Sequence, residues 1–376
     1  MKQTLLHVAK YYYPAEGGIE TVTKYMAEGL TDFNNVVICF SHDGITRMDT
    51  INGTKVYRIA PSLKVSSQDI AFTYYSYLKK IIQEYQPDII VLHCPNPFLY
   101  PITISLIPKY SKFVLLWHSD ILGKGMLYKG IKHFERRILR KADLILATSP
   151  NYIHPSSPIY EHRDKVRVVQ NGIITADFRF RKGDEELITS IKRKYHGKKI
   201  VFFVGRHAQY KGIDRLIEAE QYIQSDCIIL IAGRGPETEA LKAMAHSDRI
   251  KFIGRIPNEE LRHYYYAADV FGFASITKQE AFGIALAEAM YCGCVPVTFT
   301  IEGSGVNWVS VKGETGEEVP LGDVRAYAEA IDRLLSNPDL YMQYAAAGKK
   351  RVTSMFTCKQ SNIEAAKIFN ELIGNE

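Results

Sequence analysis

The sequence is short of several things, and each absence removes a class of function. Its six cysteines, at 39, 94, 227, 292, 294 and 358, include no C-x-x-C pair. Most of them sit in apolar runs, where a thiol acts as a small hydrophobe, so we expect them reduced. No run approaches the roughly 18 apolar residues of a membrane span, and the opening M-K-Q-T-L-L-H-V-A-K has too short an apolar stretch for a secretion signal. The expected location is therefore the cytoplasm. There is no G-x-G-x-x-G, which counts against a dinucleotide-binding dehydrogenase. There is no Asp-x-Asp triplet to hold Mg2+ or Mn2+. Zinc-finger spacing and basic runs interleaved with stacking aromatics are also missing, so nucleic acid is not an expected partner.

What is present is an ordinary soluble composition, with 46% hydrophobic and 23% charged residues and no disorder signature. At 376 residues the chain exceeds what one core holds, since single cores stop growing at about 250 to 300 residues. Apolar runs of strand length recur at 4–9, 34–40, 54–59, 88–93, 113–118 and 142–149, with helical stretches between several of them. That alternation predicts an α/β fold. A further strand over 165–173 ends in the turn dipeptide Asn171-Gly172, where the domain boundary is placed. A second α/β unit then opens at K-I-V-F-F-V-G-R. The expected architecture is two Rossmann-like domains, 1–172 and 173–357, with the last stretch, 358–376, helical.

The most informative stretch is S-I-T-K-Q-E-A-F-G-I-A-L-A-E-A-M-Y, from Ser275 to Tyr291. A buried-strand pattern precedes it and an Ala-rich run of helix formers follows Glu280. This places Glu280 in a loop and Glu288 about two turns inside a helix, roughly 12 Å further along its axis at 1.5 Å per residue. Two carboxylates that far apart cannot share a proton. They can grip hydroxyls at opposite ends of an extended ligand, while the N–H groups of Ala281, Phe282 and Gly283, just before Ile284, face a phosphate between them. Upstream, Arg206 lies just past the strand V-F-F-V, and Lys211 precedes Gly212 at a helix start. Two cations at one helix entry do not complement the dipole, but they make sense if an anion fills the gap. Gly17-Gly18 and Gly233 open loops after strands, where backbone can approach a ligand. Ile256 offers backbone groups to a base edge. A plain turn accounts for each of these loops as well. His118 ends the strand F-V-L-L-W-H, at the edge of the sheet where ligands gather.

Glu280, Phe282, Gly283 and Glu288, with G-R-x4-K-G over 205–212 and W-H-S-D at 117–120, resemble the E-x7-E signature of the retaining glycosyltransferases of GT-B fold, and the order of motifs covers nearly the whole chain. The resemblance implies that the loop at Gly17 and Gly18 borders the sugar and phosphate of a nucleotide diphosphate sugar donor, UDP- or GDP-linked. His118 would touch the sugar near its reacting carbon or its 6-hydroxyl, with Asp120 as a secondary candidate. The last helix would cross back to the first domain. Catalysis would fall to His118, Arg206, Lys211 and Glu280, with the cations standing in for a metal and no cofactor required. Hexose transfer with retention, in surface polysaccharide (O-antigen-like) synthesis, is the implied function. A sugar-nucleotide epimerase or phosphorylase-like enzyme, or a non-catalytic nucleotide-sugar-binding protein, is the alternative.

Charge adds a hint about the acceptor. Residues 1–172 carry 21 Lys and Arg against 14 Asp and Glu, whereas residues 173–376 carry 26 against 27. Most of the excess lies between Lys124 and Lys141, where Lys129, Lys132, Arg136, Arg137, Arg140 and Lys141 accompany an apolar stripe at helical spacing, with Glu135 the one acid. Two readings stay open: a solvated face above a core stripe, or a surface at the inner face of the membrane for anionic lipid headgroups or a lipid-linked saccharide acceptor.

Overall fold

Short runs of branched and aromatic residues, separated by helical segments, build two large sheets in series and one two-stranded ribbon. The computed structural model describes the chain except residues 1, 16, 66–67, 122–125 and 375–376 and the side chains of 126–128. The described residues fall into two units, Met1–Asn171 together with Cys358–Glu376, and Gly172–Thr357.

The first unit contains β1 (Thr4–Val8), β2 (Asn34–Phe40), β3 (Arg47–Ile51), β4 (Thr54–Ile59), β5 (Leu63–Val65), β6 (Gln68–Ile70), β7 (Ile89–Cys94), β8 (Lys112–Trp117), β9 (Leu144–Ala147) and β10 (Val166–Val168). Eight of these form one sheet in the order β10-β9-β8-β7-β1-β2-β4-β3, parallel except for the β3–β4 hairpin, while β5 and β6 pair separately. β1 and β7 are buried along their whole length, as parallel strands covered on both faces must be. The 165–173 segment forms a strand only over Val166–Val168. The C-terminal helix, Cys358–Leu372, packs on the helix Gly18–Gly29: Asn362 Nδ2 donates to the Tyr25 carbonyl at 2.9 Å, and the rings of Phe33 and Phe369 meet edge-on at 6.2 Å. Gly29 is where this contact closes, because a Cβ there would fall on the Asn362 amide.

The second unit holds β11 (Lys199–Val204), β12 (Cys227–Ala232), β13 (Ile250–Gly254), β14 (Val270–Phe273), β15 (Val295–Phe299) and β16 (Glu317–Val319), all parallel, in the order β13-β12-β11-β14-β15-β16. Strand order reverses between β11 and β14. In doubly wound sheets the loops leaving such a pair of strands part and leave a crevice at their carboxyl ends. The same reversal occurs between β1 and β7 in the first unit. These two crevices locate the candidate residues.

Candidate active site

In the second unit the loops leaving β11 and β14 are held against each other, and Gly212 is the point of closest approach. It takes a positive φ of 60°, and a Cβ on it would collide with the Ala274 carbonyl oxygen. The Ile276 amide donates to the Tyr210 carbonyl at 2.9 Å, stitching the loops together. Lys211 is thereby delivered to Glu280: its Nζ donates to Oε2 in an ion pair whose side chains are only 11% and 12% exposed. Ser275 Oγ reaches the same carboxylate oxygen at 3.3 Å, and Ser304 Oγ donates to the Glu280 carbonyl. The ammonium also lies 5.3 Å from the Tyr210 ring centre and 5.5 Å from that of Phe273, within cation–π range. Burial works to lower the pKa of Lys211, but the Glu280 carboxylate and Tyr210 outweigh it and leave the value raised. Arg206, from the loop after β11, is exposed, and among the described residues no ion pair or hydrogen bond engages its guanidinium. The site therefore holds one neutralised and one uncompensated cation.

The helix after β14 starts later than its sequence pattern suggests. It runs over Ile284–Tyr291, with Gly283 capping it at φ 86°. Ala281 and Phe282 are buried loop residues, and the Phe282 ring sits edge-on to Phe356 at 5.3 Å. Glu288 is consequently one turn into the helix rather than two. The Tyr265 hydroxyl donates to its Oε2 at 2.9 Å, yet burial still pushes the carboxyl up to about 7. A carboxyl raised this far by burial near the β11/β14 crevice is a candidate functional group.

Gly233 shapes the neighbouring loop through backbone packing. At φ 114°, its Cβ would fall on the Gly205 carbonyl oxygen, and a Cβ on Gly235 would strike the His207 carbonyl. These contacts fold the loops after β11 and β12 around a cleft of about 610 Å3 that includes His207, Gly233, Arg234, Lys242, Phe252 and Gly254 among its walls. Ile256 is buried just past β13, and is not one of the lining residues. Of the lining residues only Gly233 stands out in the sequence. Arg234 follows Gly233 in the same loop, Lys242 lies on the next helix, Thr238–Met244, and Phe252 lies on β13.

In the first unit His118 follows β8 and is 6% exposed, its ring stacked on His93 at 5.3 Å between centres. Asp120 accepts from Trp117 Nε1 at 2.8 Å and from Ser157 Oγ at 2.9 Å, so it braces the loop. Gly17 and Gly18 begin the helix after β1, where a Cβ on Gly17 would overlap the Glu20 carboxylate. An acidic side chain thus occupies the space beside Gly17.

The family model "Glycosyl transferases group 1" matches residues 184–351, and the model "Glycosyltransferase Family 4" matches residues 16–177. The chain belongs to the group 1 glycosyltransferases. D-rhamnosyltransferase WbpZ of Pseudomonas aeruginosa is 28% identical over 94% of this chain and 92% of its own length. The O-antigen chain mannosyltransferase C of Escherichia coli is 28% identical over 94% of each. Anabaena HepE, solved in complex with UDP, superposes with a TM-score of 0.76 at 17% identity, over 98% of this chain and all of that one, which places this glycosyltransferase in the GT-B fold.

The basic segment of this glycosyltransferase is the helix Met126–Lys141. Lys124 and the side chains of Met126 and Leu127 lie outside the described residues. Ile138 and Leu139 are fully buried, and Lys129, Lys132, Arg136, Arg137, Arg140 and Lys141 are all exposed. Glu135 turns inward: it is 2% exposed, and burial followed by repulsion from Asp120 raises its carboxyl to about 7. Its removal from the surface leaves the outer face with no acid. Among the described residues, no helix is long and apolar enough to cross a membrane.

Proposed function

We propose that this glycosyltransferase moves a hexose, mannose or another, from a UDP- or GDP-linked donor with retention of configuration and without a metal. The single observation that carries the reading is the uncompensated Arg206 beside the Lys211–Glu280 pair at the β11/β14 crevice. Departure of a nucleoside diphosphate builds negative charge on the phosphate. Groups already aimed at that charge lower the barrier because they are not reorganised during the reaction. Arg206 grips the phosphate with parallel donors, Lys211 turns from Glu280 toward it, and the amides of Phe282 and Gly283 add dipoles. Glu280, released, accepts from a sugar hydroxyl. Glu288 accepts from the ribose, and the cleft beside Gly233 accommodates the nucleoside. The UDP complex of HepE supports a nucleotide donor. Retention follows from a front-face route in which the leaving phosphate helps deprotonate the acceptor hydroxyl.

For the acceptor, the rhamnosyl- and mannosyltransferase relatives and the acid-free outer face of the basic helix together favour a lipid-linked saccharide met at an anionic membrane face. The decisive experiment is a thermal-shift panel of UDP-, GDP-, ADP- and dTDP-hexoses, in which the true donor at 100 times its Kd stabilises by roughly 2.7 kcal/mol. Turnover is then followed as release of nucleoside diphosphate in EDTA, with the anomeric configuration of the product read by NMR. An inverted product, or activity lost in EDTA and restored by Mn2+, overturns the mechanism. Donor consumption with no transfer to any acceptor favours the epimerase or phosphorylase-like alternative.

A further inference from the structure

Three histidines from neighbouring strands of the first sheet form one buried hydrogen-bonded chain. His7 of β1 is paired in register with Val91 of β7, and His93 of β7 with Leu116 of β8. His93 is two residues beyond Val91, and His118 two beyond Leu116. Since side chains repeat every two residues along a strand, the three rings share one face and step toward the carboxyl edge. His7 Nδ1 lies 3.2 Å from His93 Nε2, and His93 Nδ1 lies 3.1 Å from His118 Nε2. The inner end is closed by Asn35, whose Oδ1 is 3.2 Å from His7 Nε2.

The direction of every proton in this chain is determined from its inner end. Asn35 Nδ2 donates to the Leu30 and Phe33 carbonyls at 2.8 and 3.3 Å, so its Oδ1 must face His7 as an acceptor. His7 therefore carries its proton on Nε2, and its Nδ1 accepts from His93 Nε2–H. His93 Nδ1 is left as an acceptor, with Thr23 Oγ1 at 3.1 Å and His118 Nε2 both facing it. The Thr23 hydroxyl has an acceptor of its own in the Ile19 carbonyl at 2.9 Å, and two ring lone pairs facing each other at 3.1 Å would repel. His118 Nε2–H is the donor that remains. Its Nδ1, free of hydrogen bonds among the described residues, keeps its lone pair.

We propose that Asn35, His7 and His93 are positioning residues that lock His118 as the Nε2–H tautomer, so that Nδ1 accepts from a hydroxyl of the transferred sugar and cannot donate to its phosphate. The chain is a lock and not a proton wire, because it ends on an amide oxygen that cannot take up a proton. Burial favours the neutral form of every ring: His7 is lowered to about 4, His118 to about 3, and His93 lies well below its ordinary value.

The sugar contact rests on the donor reading above, whereas the tautomer does not, so two measurements separate them. Long-range 1H–15N correlation on full-length protein with labelled histidine, assigned with His118→Asn, reads the ring protons directly. We expect neutral Nε2–H rings for all three between pH 6 and 8; a cationic or Nδ1–H His118 overturns the lock. The second measurement compares His93→Phe, which keeps a stacked ring without nitrogens, with His93→Gln, whose Oε1 can accept from His118 while Nε2 donates to His7. With UDP-glucose or GDP-mannose, whichever shifts the melting temperature, kcat should fall about tenfold in the Phe variant with KM within about twofold, and the Gln variant should recover most of it. Equal losses in two folded variants overturn the proposal. If the Phe variant does not fold, the wild-type resonances and the Gln variant decide. Undiminished turnover in His118→Asn refutes the sugar contact and leaves the lock standing.

Discussion

Lys211 and Glu280, 69 residues apart in the chain, close an ion pair across the β11/β14 crevice. The sequence assigns one to a phosphate and the other to a hydroxyl, and the fold lets each neutralise the other. Lys211 can therefore lie buried without phosphate, and under the donor reading proposed above a phosphate competes with a carboxylate for it.

Glu280→Gln tests that competition. Removing one partner of a buried pair leaves the other charge uncompensated, a loss of 3 to 5 kcal/mol in typical cases, with about 3 expected here because both side chains keep some water contact. Without nucleotide the variant should melt earlier than wild type. UDP or GDP supplies the missing anion, so its stabilising shift should be larger in Glu280→Gln than in wild type, while sugar transfer falls. A shift no larger than wild type's would show that Lys211 does not reach the phosphate.

Arg206 and Lys211 should separate in the same assay. Arg206 is exposed and unpaired, so Arg206→Ala should leave stability within about 0.5 kcal/mol. It should weaken nucleoside diphosphate binding by about 1.5 to 3 kcal/mol, the usual worth of a charge-assisted bond. Lys211→Ala strands the Glu280 carboxylate and should lose both binding and stability. Calorimetry on the two variants checks the contrast; equal destabilisation would contradict it.

Glu288 gives a pH dependence with a definite sign. Its carboxyl is raised by burial from an ordinary 4.5 to about 7. Only the carboxylate accepts fully from two ribose hydroxyls, so donor affinity should rise as pH climbs through about 7, and binding near that pH should release protons. Stability runs the other way. A carboxyl whose folded value is raised contributes stability that is complete below its unfolded value and is lost as pH rises through the folded one. Glu288→Gln should abolish the binding dependence and reduce the loss of stability between pH 5 and 8. Calorimetry in buffers of different ionisation enthalpy measures the proton release, and its absence in wild type would remove Glu288 from the donor contacts.

How much of this is legible in the chain depends on how local each determinant is. The strands that carry the site are runs such as V-F-F-V and D-I-I-V-L-H, whose period and length identify them without tertiary help. β3, read R-M-D-T-I, is an edge strand with exposed and half-buried positions, and β5 and β6 are three residues each, so their pairing is not written in their composition. The later helix start at Ile284 reflects Gly283: the left-handed φ that lets Phe282 turn into the core ends the preceding loop there. Arg206, Lys211, Glu280 and Glu288 stand out because their order is local to two strand-loop-helix units. The Lys211–Glu280 pair and the histidine chain do not, since both depend on which strands become neighbours.

The last prediction concerns the basic helix. Among the described residues Ile138, Leu139 and Glu135, spaced three and four residues apart, face inward, so the apolar side chains of this last part of the helix are committed to the core and do not enter a bilayer. Membrane docking, if it uses this helix, must then be electrostatic. With Glu135 buried, the six described cations from Lys129 to Lys141 are exposed on a helix whose own outer face carries no acid. Each Lys or Arg near an anionic surface contributes about 1 kcal/mol, so four or five facing one way give reversible docking. That attraction is screened over about 8 to 10 Å at physiological ionic strength. Wild type should co-sediment with vesicles rich in anionic lipid at low salt, detach as salt rises, and ignore zwitterionic vesicles. Changing Arg136, Arg137, Arg140 and Lys141 together to Gln should abolish co-sedimentation while leaving nucleotide binding intact. If the fourfold variant binds as wild type does, or wild type never binds, the helix is a solvated face and the acceptor is met in solution.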